Sequence, residues 1–131
     1  MKYLLDTVVW LWSVSSVERI GDQGREILAD GKSEIYLSCA SSWEIAIKTQ
    51  AGRCQLPEPP AQYVPKRLAE QGIKALSINQ THALKTYDLP LYHRDPFDRM
   101  IISQAMVEGM VILSSDHEFE KYAVELVWCG I

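Results

Sequence analysis

Short apolar runs alternate along this chain with amphipathic segments of helix length, and that alternation restricts the fold more than any other feature. Lys2–Leu5, Glu34–Leu37, Ile73–Ile78, Val111–Leu113 and Leu126–Trp128 read as strands. Val8–Val14, Asp22–Asp30, Ser41–Gln50, Ala61–Gln71, Gln80–Tyr87 and Pro96–Glu108 read as helices, with a helical turn at Glu118–Tyr122. Strands separated by helices pair in parallel through crossovers, because a tight hairpin cannot join them. The expected fold class is therefore α/β, a twisted, mostly parallel sheet flanked by helices in three layers. Pro96–Glu108 carries the clearest helical signal: Phe97, Met100, Ile101, Gln104 and Ala105 share one face, and Gly109 ends it. Leu56-Pro57-Glu58-Pro59-Pro60 can be neither helix nor central strand and is expected as a rigid connector. At 131 residues the expectation is one domain, 1–131, with a single substantial core.

Composition excludes several classes. A hydrophobic content of 47% is too high for a disordered or low-complexity chain. A net charge of −4 excludes a polycation that coats nucleic acid, so any phosphate contact must come from a local patch or a bound metal. One such patch exists: Lys48, Arg53, Lys66, Arg67 and Lys74 face only Glu58 and Glu70 within residues 48–74. It is either a solvated helical face or the rim of a polyanion site. Cys39, Cys54 and Cys129 are an odd count at spacings that fit neither a disulfide framework nor a zinc site. They read as reduced thiols of a cytoplasmic protein. The apolar start at Met1–Leu5 is interrupted by Asp6, with no cleavage site after it, and no run approaches the roughly 18 residues of a membrane span.

The acids are the informative residues. Asp6 follows the first strand directly, Asp116 follows the fourth behind Ser114 and Ser115, and Glu44 lies early in the helix after the second strand. Sites in open α/β sheets form in the crevice beyond the carboxyl ends of the strands. Asp98, in the first turn of the Pro96 helix, points at the same edge if that helix packs beside the fourth strand. Each acid also has a local explanation. Asp6 and Asp116 could cap the elements that follow them, Glu44 and Lys48 form an i, i+4 pair, and Asp95 before Pro96 reads as a cap. Capping does not explain why the acids gather at one edge. Two carboxylates about 5 Å apart at an effective dielectric near 20 repel by roughly 3 kcal/mol, so such a cluster either keeps protons or binds a cation. Oxygen donors without paired His or Cys select a hard ion, Mg2+ or Mn2+. A hard ion on carboxylates suits phosphodiester hydrolysis.

Four motifs in order now resemble a known family: Met1-Lys2-Tyr3-Leu4-Leu5-Asp6-Thr7, Ser42-Trp43-Glu44-Ile45-Ala46-Ile47-Lys48, His93-Arg94-Asp95-Pro96-Phe97-Asp98-Arg99, and Ser115-Asp116-His117-Glu118-Phe119. The chain resembles PIN-domain proteins and, more narrowly, VapC-type toxins of toxin–antitoxin pairs. The resemblance implies a PIN-like fold, a metal-dependent ribonuclease activity using Mg2+ or Mn2+, RNA as substrate and an antitoxin protein as partner. It places the catalytic and metal-holding acids at Asp6, Glu44, Asp98 and Asp116. Thr7 and Ser114 match small hydroxyl residues that line such pockets, and Asp95 and Lys48 stand as a second tier. Lys48, Arg53, Arg94 and Arg99 are the candidate RNA contacts. Val8 stands where relatives commonly carry His, which removes one contact and leaves the acids untouched.

Other residues read as structural. His82 is expected packed or solvated, and neither His93 nor His117 has a nucleophile to activate. Trp10, Trp12, Trp43 and Trp128 are core residues by default. Val8–Trp12 is too apolar for a helix with one face in water, so it is either wholly packed or partly covered by another chain, an antitoxin helix or a second copy in a homodimer. A phosphatase of the aspartyl-phosphate type would need an Asp at Val8, and a receiver domain would need paired acids after the first strand. The remaining rival is a PIN-like module that binds RNA or protein without cutting.

Overall fold

The computed structural model describes residues 1–131. Five strands, β1 (Lys2–Leu5), β2 (Glu34–Ser38), β3 (Lys74–Leu76), β4 (Val111–Ser114) and β5 (Leu126–Trp128), form one sheet in the order β3-β2-β1-β4-β5. All four pairings are parallel; Leu5 stands opposite Leu37 of β2 and Leu113 of β4. The chain first builds outward from β1 to β2 and β3, then crosses back to place β4 on the other side of β1. The strand order therefore reverses between β1 and β4, which opens a crevice at their carboxyl ends.

Strand alternation divides the core in two. Leu5, Ile35, Leu37 and Leu113 point to one face, where they meet Val9 and Trp10 of α1 (Thr7–Ser15), Ile45 of α3 (Cys39–Gln50), and Tyr63, Val64 and Leu68 of α4 (Pro60–Gln71). Leu4 and Ile112 point to the other, against Ile101, Ile102 and Ala105 of α6 (Pro96–Glu108), with Phe119 and Tyr122 closing that layer. α2 (Asp22–Ala29) packs beside β5 on the first face, and α5 (Gln80–Lys85) lies along α6. This is the three-layer α/β arrangement expected. Trp10 is fully buried, and its indole N–H donates to Gln71 Oε1 at 3.0 Å, so the large ring is packed without an unsatisfied donor.

Local signals set most boundaries. Asp6 caps α1, accepting from Val9 N, and Asp95 caps α6, accepting from Phe97 N and Asp98 N with Pro96 behind it. Gly72 and Gly109, at φ of 68° and 67°, end α4 and α6 in the left-handed region that glycine enters without steric cost. Several boundaries differ from the sequence reading. α1 begins at Thr7 because Asp6 is its cap, and α3 begins at Cys39 because the Ser38 side chain accepts from Ala40 N. The third strand keeps only Lys74–Leu76: it is an edge strand paired with β2 alone. The Gln80 helix stops at Lys85 and continues as a 3-10 turn over Thr86–Asp88. No helix is long and apolar enough to cross a membrane. The three cysteines are free thiols, Cys129 buried.

Candidate active site

The crevice between β1 and β4 is a cleft of about 200 Å3 lined by Asp6, Thr7, Val8, Glu44, Lys48, Asp95, Asp98, Ser115, Asp116 and Phe119. Asp6 arrives from the end of β1 and Asp116 from the turn after β4; α3 carries Glu44 and the first turn of α6 carries Asp98. Four separate elements thus bring the four expected acids to one place, and Asp95, Thr7 and Lys48 line it with them. Ser114 lies one layer beneath, where its hydroxyl donates to Asp6 Oδ2 at 2.6 Å.

Each acid keeps the local duty the sequence suggested while also facing the cleft. Asp6 Oδ1 accepts from Val9 N (2.7 Å), and Oδ2 also accepts from Ser115 N (3.3 Å). Asp116 Oδ1 accepts from Glu118 N at 2.9 Å. Glu44 is buried and doubly held: the Thr7 hydroxyl donates to Oε1 at 2.7 Å, and Lys48 Nζ lies 2.6 Å from Oε2. Thr7 in turn lies 2.9 Å from the Ser41 hydroxyl. The capping and pairing interactions set the side-chain directions, and the sheet topology sets where those directions meet.

Burial and mutual repulsion show in the acids' proton affinities. Asp6 is pushed up to about 6, chiefly by burial, and would rise further without the Ser114 hydroxyl and the Val9 and Ser115 N–H groups. Asp98 is pushed up to about 8 by burial first and then by the charges of Asp95, Glu44, Asp6 and Asp116. Lys48 is held above the ordinary lysine range by its hydrogen bond to Glu44. A cation would relieve the crowding that raises Asp98. The donor set, all carboxylate oxygen, fits a hard divalent ion. No three of these carboxylates converge closely enough to hold one ion as they stand. Lys48 already lies against Glu44 Oε2, so an ion drawing on Glu44 must displace it or bind the opposite oxygen.

Two further expectations meet corrections. Arg99 does not line the cleft: its guanidinium donates to the carbonyls of Pro90 (2.8 Å), Thr86 (3.0 Å) and Leu89 (3.3 Å), which makes it a staple for the segment before α6. Trp43 is not core. It is 61% exposed and rests edge-on against Phe97, with ring centroids 5.2 Å apart. Arg53 and Arg94 are exposed outside the cleft lining. Val8 lines the cleft and is half-exposed, while Val9 and Trp10 behind it are buried. His82 is buried, with Nε2 on Glu108 at 2.7 Å. The sequence reading missed the Ser115 N–H, Phe119 and the His93 ring, whose Nε2 lies 3.5 Å from Asp98 Oδ2. His93 lies within the same motif as Asp98, and that proximity was the available signal.

The sequence matches the PIN domain family model over residues 3–125. The chain belongs to the PIN-domain family. A 61-residue stretch is 43% identical to "Ribonuclease VapC16" of Mycobacterium tuberculosis, covering 47% of this PIN domain and 43% of that relative, so the match spans less than half of the relative's length. Among solved structures, VapBC2 from Rickettsia felis bound to a promoter DNA fragment superposes with a TM-score of 0.75 at 15% identity, covering 98% of this chain and 99% of that one. A toxin–antitoxin complex from Klebsiella pneumoniae superposes with a TM-score of 0.64 at 15% identity, covering 95% of each chain. At such identities the superpositions establish the PIN fold.

Proposed function

We propose that this PIN domain is a metal-dependent endoribonuclease and the toxin of a toxin–antitoxin pair. One observation carries the reading. Asp6, Glu44, Asp98 and Asp116 come from four elements to one cleft at the β1/β4 reversal, where burial first and then the neighbouring acids lift Asp98 to about 8. An acidic cluster of this kind repels the RNA backbone unless a cation intervenes. Asp6, Glu44, Asp98 and Asp116 would hold Mg2+ or Mn2+, which when bound supplies positive charge to the phosphoryl oxygens and lowers the pKa of an attacking water.

The remaining residues act around that centre. Ser114 and the Ser115 N–H fix Asp6, and Thr7 fixes Glu44, so two of the four carboxylates are already oriented before substrate arrives. Lys48, partly exposed beside Glu44, can turn from the carboxylate to an incoming phosphate. Arg53 and Arg94, both exposed, are the outer backbone contacts. The antitoxin partner rests on the structural neighbour described as a toxin–antitoxin complex. An antitoxin arginine entering the cleft would pair bidentately with the acids and compete for the same oxygens.

The test is cleavage of a cellular RNA pool by wild type and Asp6→Asn, with Mn2+ and with chelator. Wild-type cleavage lost in chelator and in the variant supports the reading. Equal cleavage by both proteins overturns the site assignment, and cleavage by neither overturns the nuclease in favour of a binding module.

A further inference from the structure

The carboxyl edge of the sheet carries an aromatic pair to which the nuclease reading gives no task. His117 directly follows Asp116 and opens the 3-10 turn His117–Lys121, and Trp128 ends β5 opposite Ser114 of β4. Asp116 lines the cleft and Ser114 holds Asp6, so both rings stand on backbone that adjoins the site. They stack with centroids 4.0 Å apart and planes inclined by 15°. The chain's other aromatic contacts are edge-on or tilted.

Two contacts hold this stack in place. The indole lies against Gly130, where an added Cβ would come within 2.8 Å of Trp128 Cε2 and nearer still to Cζ2, so a side chain there would push the ring aside. On the other ring, His117 Nδ1 lies 3.2 Å from Glu120 Oε1. With Trp128 against one face, the His117 side chain is still 71% exposed, so its second face is open to solvent. Parallel rings with a free outer face can be extended by a further planar ring. The surrounding charge selects which kind. Asp116, Glu118 and Glu120 repel a phosphate, whereas a nucleobase is neutral and every base has a π-face.

We propose that His117, backed by Trp128, is a stacking platform for an unpaired nucleobase of the RNA strand whose phosphate occupies the cleft. The proposal rests on the nuclease reading for the place of the phosphate, and it makes the substrate class single-stranded RNA. Cutting such a platform back to alanine typically lowers affinity by about 5–150-fold per base.

Stopped-flow anisotropy in Mg2+ tests it, measuring the binding of a short, labelled, mixed-sequence RNA before product accumulates. The probes are the single strand, its duplex, and an abasic strand that keeps the phosphates. Wild type should prefer the single strand to the duplex. His117→Ala should bind the single strand at least about fivefold more weakly than wild type, and His117→Phe within about twofold of it. Gly130→Ala, which keeps both rings but displaces the indole, should weaken binding in the same sense. Wild type and variants should bind the abasic strand alike. Unchanged single-strand affinity in a His117→Ala protein that keeps the wild-type thermal midpoint, or an equal loss on the abasic strand, overturns the platform. Self-association lost in His117→Ala beside unchanged RNA affinity, read by sedimentation, overturns it in favour of an interface with a second copy. A wild type that binds the single strand through these rings and cuts no RNA overturns the nuclease reading alone.

Discussion

Replacing Asp98 with Asn should stabilise the metal-free protein, and by an amount that grows with pH. The folded protein keeps the Asp98 proton until about pH 8, whereas an unfolded chain releases it near 3.8. Between those values the folded state binds more protons, so stability is fully present below about 3.8 and is lost as pH rises through about 8. The full displacement corresponds to roughly 6 kcal/mol at about 1.4 kcal/mol per tenfold change in proton affinity. The side chain is still 19% exposed, so solvent screens part of that energy. We therefore expect about 3 kcal/mol at pH 9. Asn has nearly the same shape and cannot ionise, so it escapes the loss. Urea unfolding at pH 5 to 9 in chelator is the assay. The variant's midpoint should separate upward from that of wild type as pH rises, with unchanged m. Parallel curves across that range would refute the argument, because they would mean that Asp98 ionises in the folded protein as freely as in the unfolded chain.

Three other outcomes follow from the same site. Mn2+ or Mg2+ at a hundredfold excess over Kd should add about 2.7 kcal/mol to wild-type stability, read as a thermal midpoint that matched Na+ does not move, and Asp6→Asn should weaken the effect. Arg99→Met should cost roughly 2–4 kcal/mol in urea unfolding, since it strips donors from three carbonyls, while RNA affinity per folded molecule stays within twofold. An RNA with a single 2′-deoxy nucleotide just 5′ of the scissile bond should still be cut, leaving 3′-hydroxyl and 5′-phosphate ends, because water rather than the 2′-hydroxyl attacks; mass spectrometry of the products checks this.

What the sequence disclosed about this PIN domain was what local rules determine. The periodicity of Phe97–Ala105, the Asp95-Pro96 start and the glycine stop place α6 without reference to anything distant. Asp6 and Asp116 were legible because strand ends in a parallel sheet share one edge, and the order reversal between β1 and β4 then puts them together. Direction of side chains was not legible in the same way. Arg99 is a cation one residue from a site acid, and only the fold shows the carbonyls of Thr86, Leu89 and Pro90 converging on it. Trp43 was assigned inward because it is apolar, yet its side of α3 faces out beside Phe97. The link from His93 to Tyr122 spans 29 residues, so no spacing in the chain could announce it.

The proposed nuclease depends on a divalent cation binding among the carboxylates gathered at the β1/β4 reversal. Crystals of wild type grown with Mn2+, measured at the manganese absorption edge, test it most directly. An anomalous peak is expected in the cleft within coordinating distance of Asp6 and Asp98, absent from Asp6→Asn crystals treated in the same way. A peak bound elsewhere on the molecule, or an empty cleft at saturating Mn2+, would contradict it.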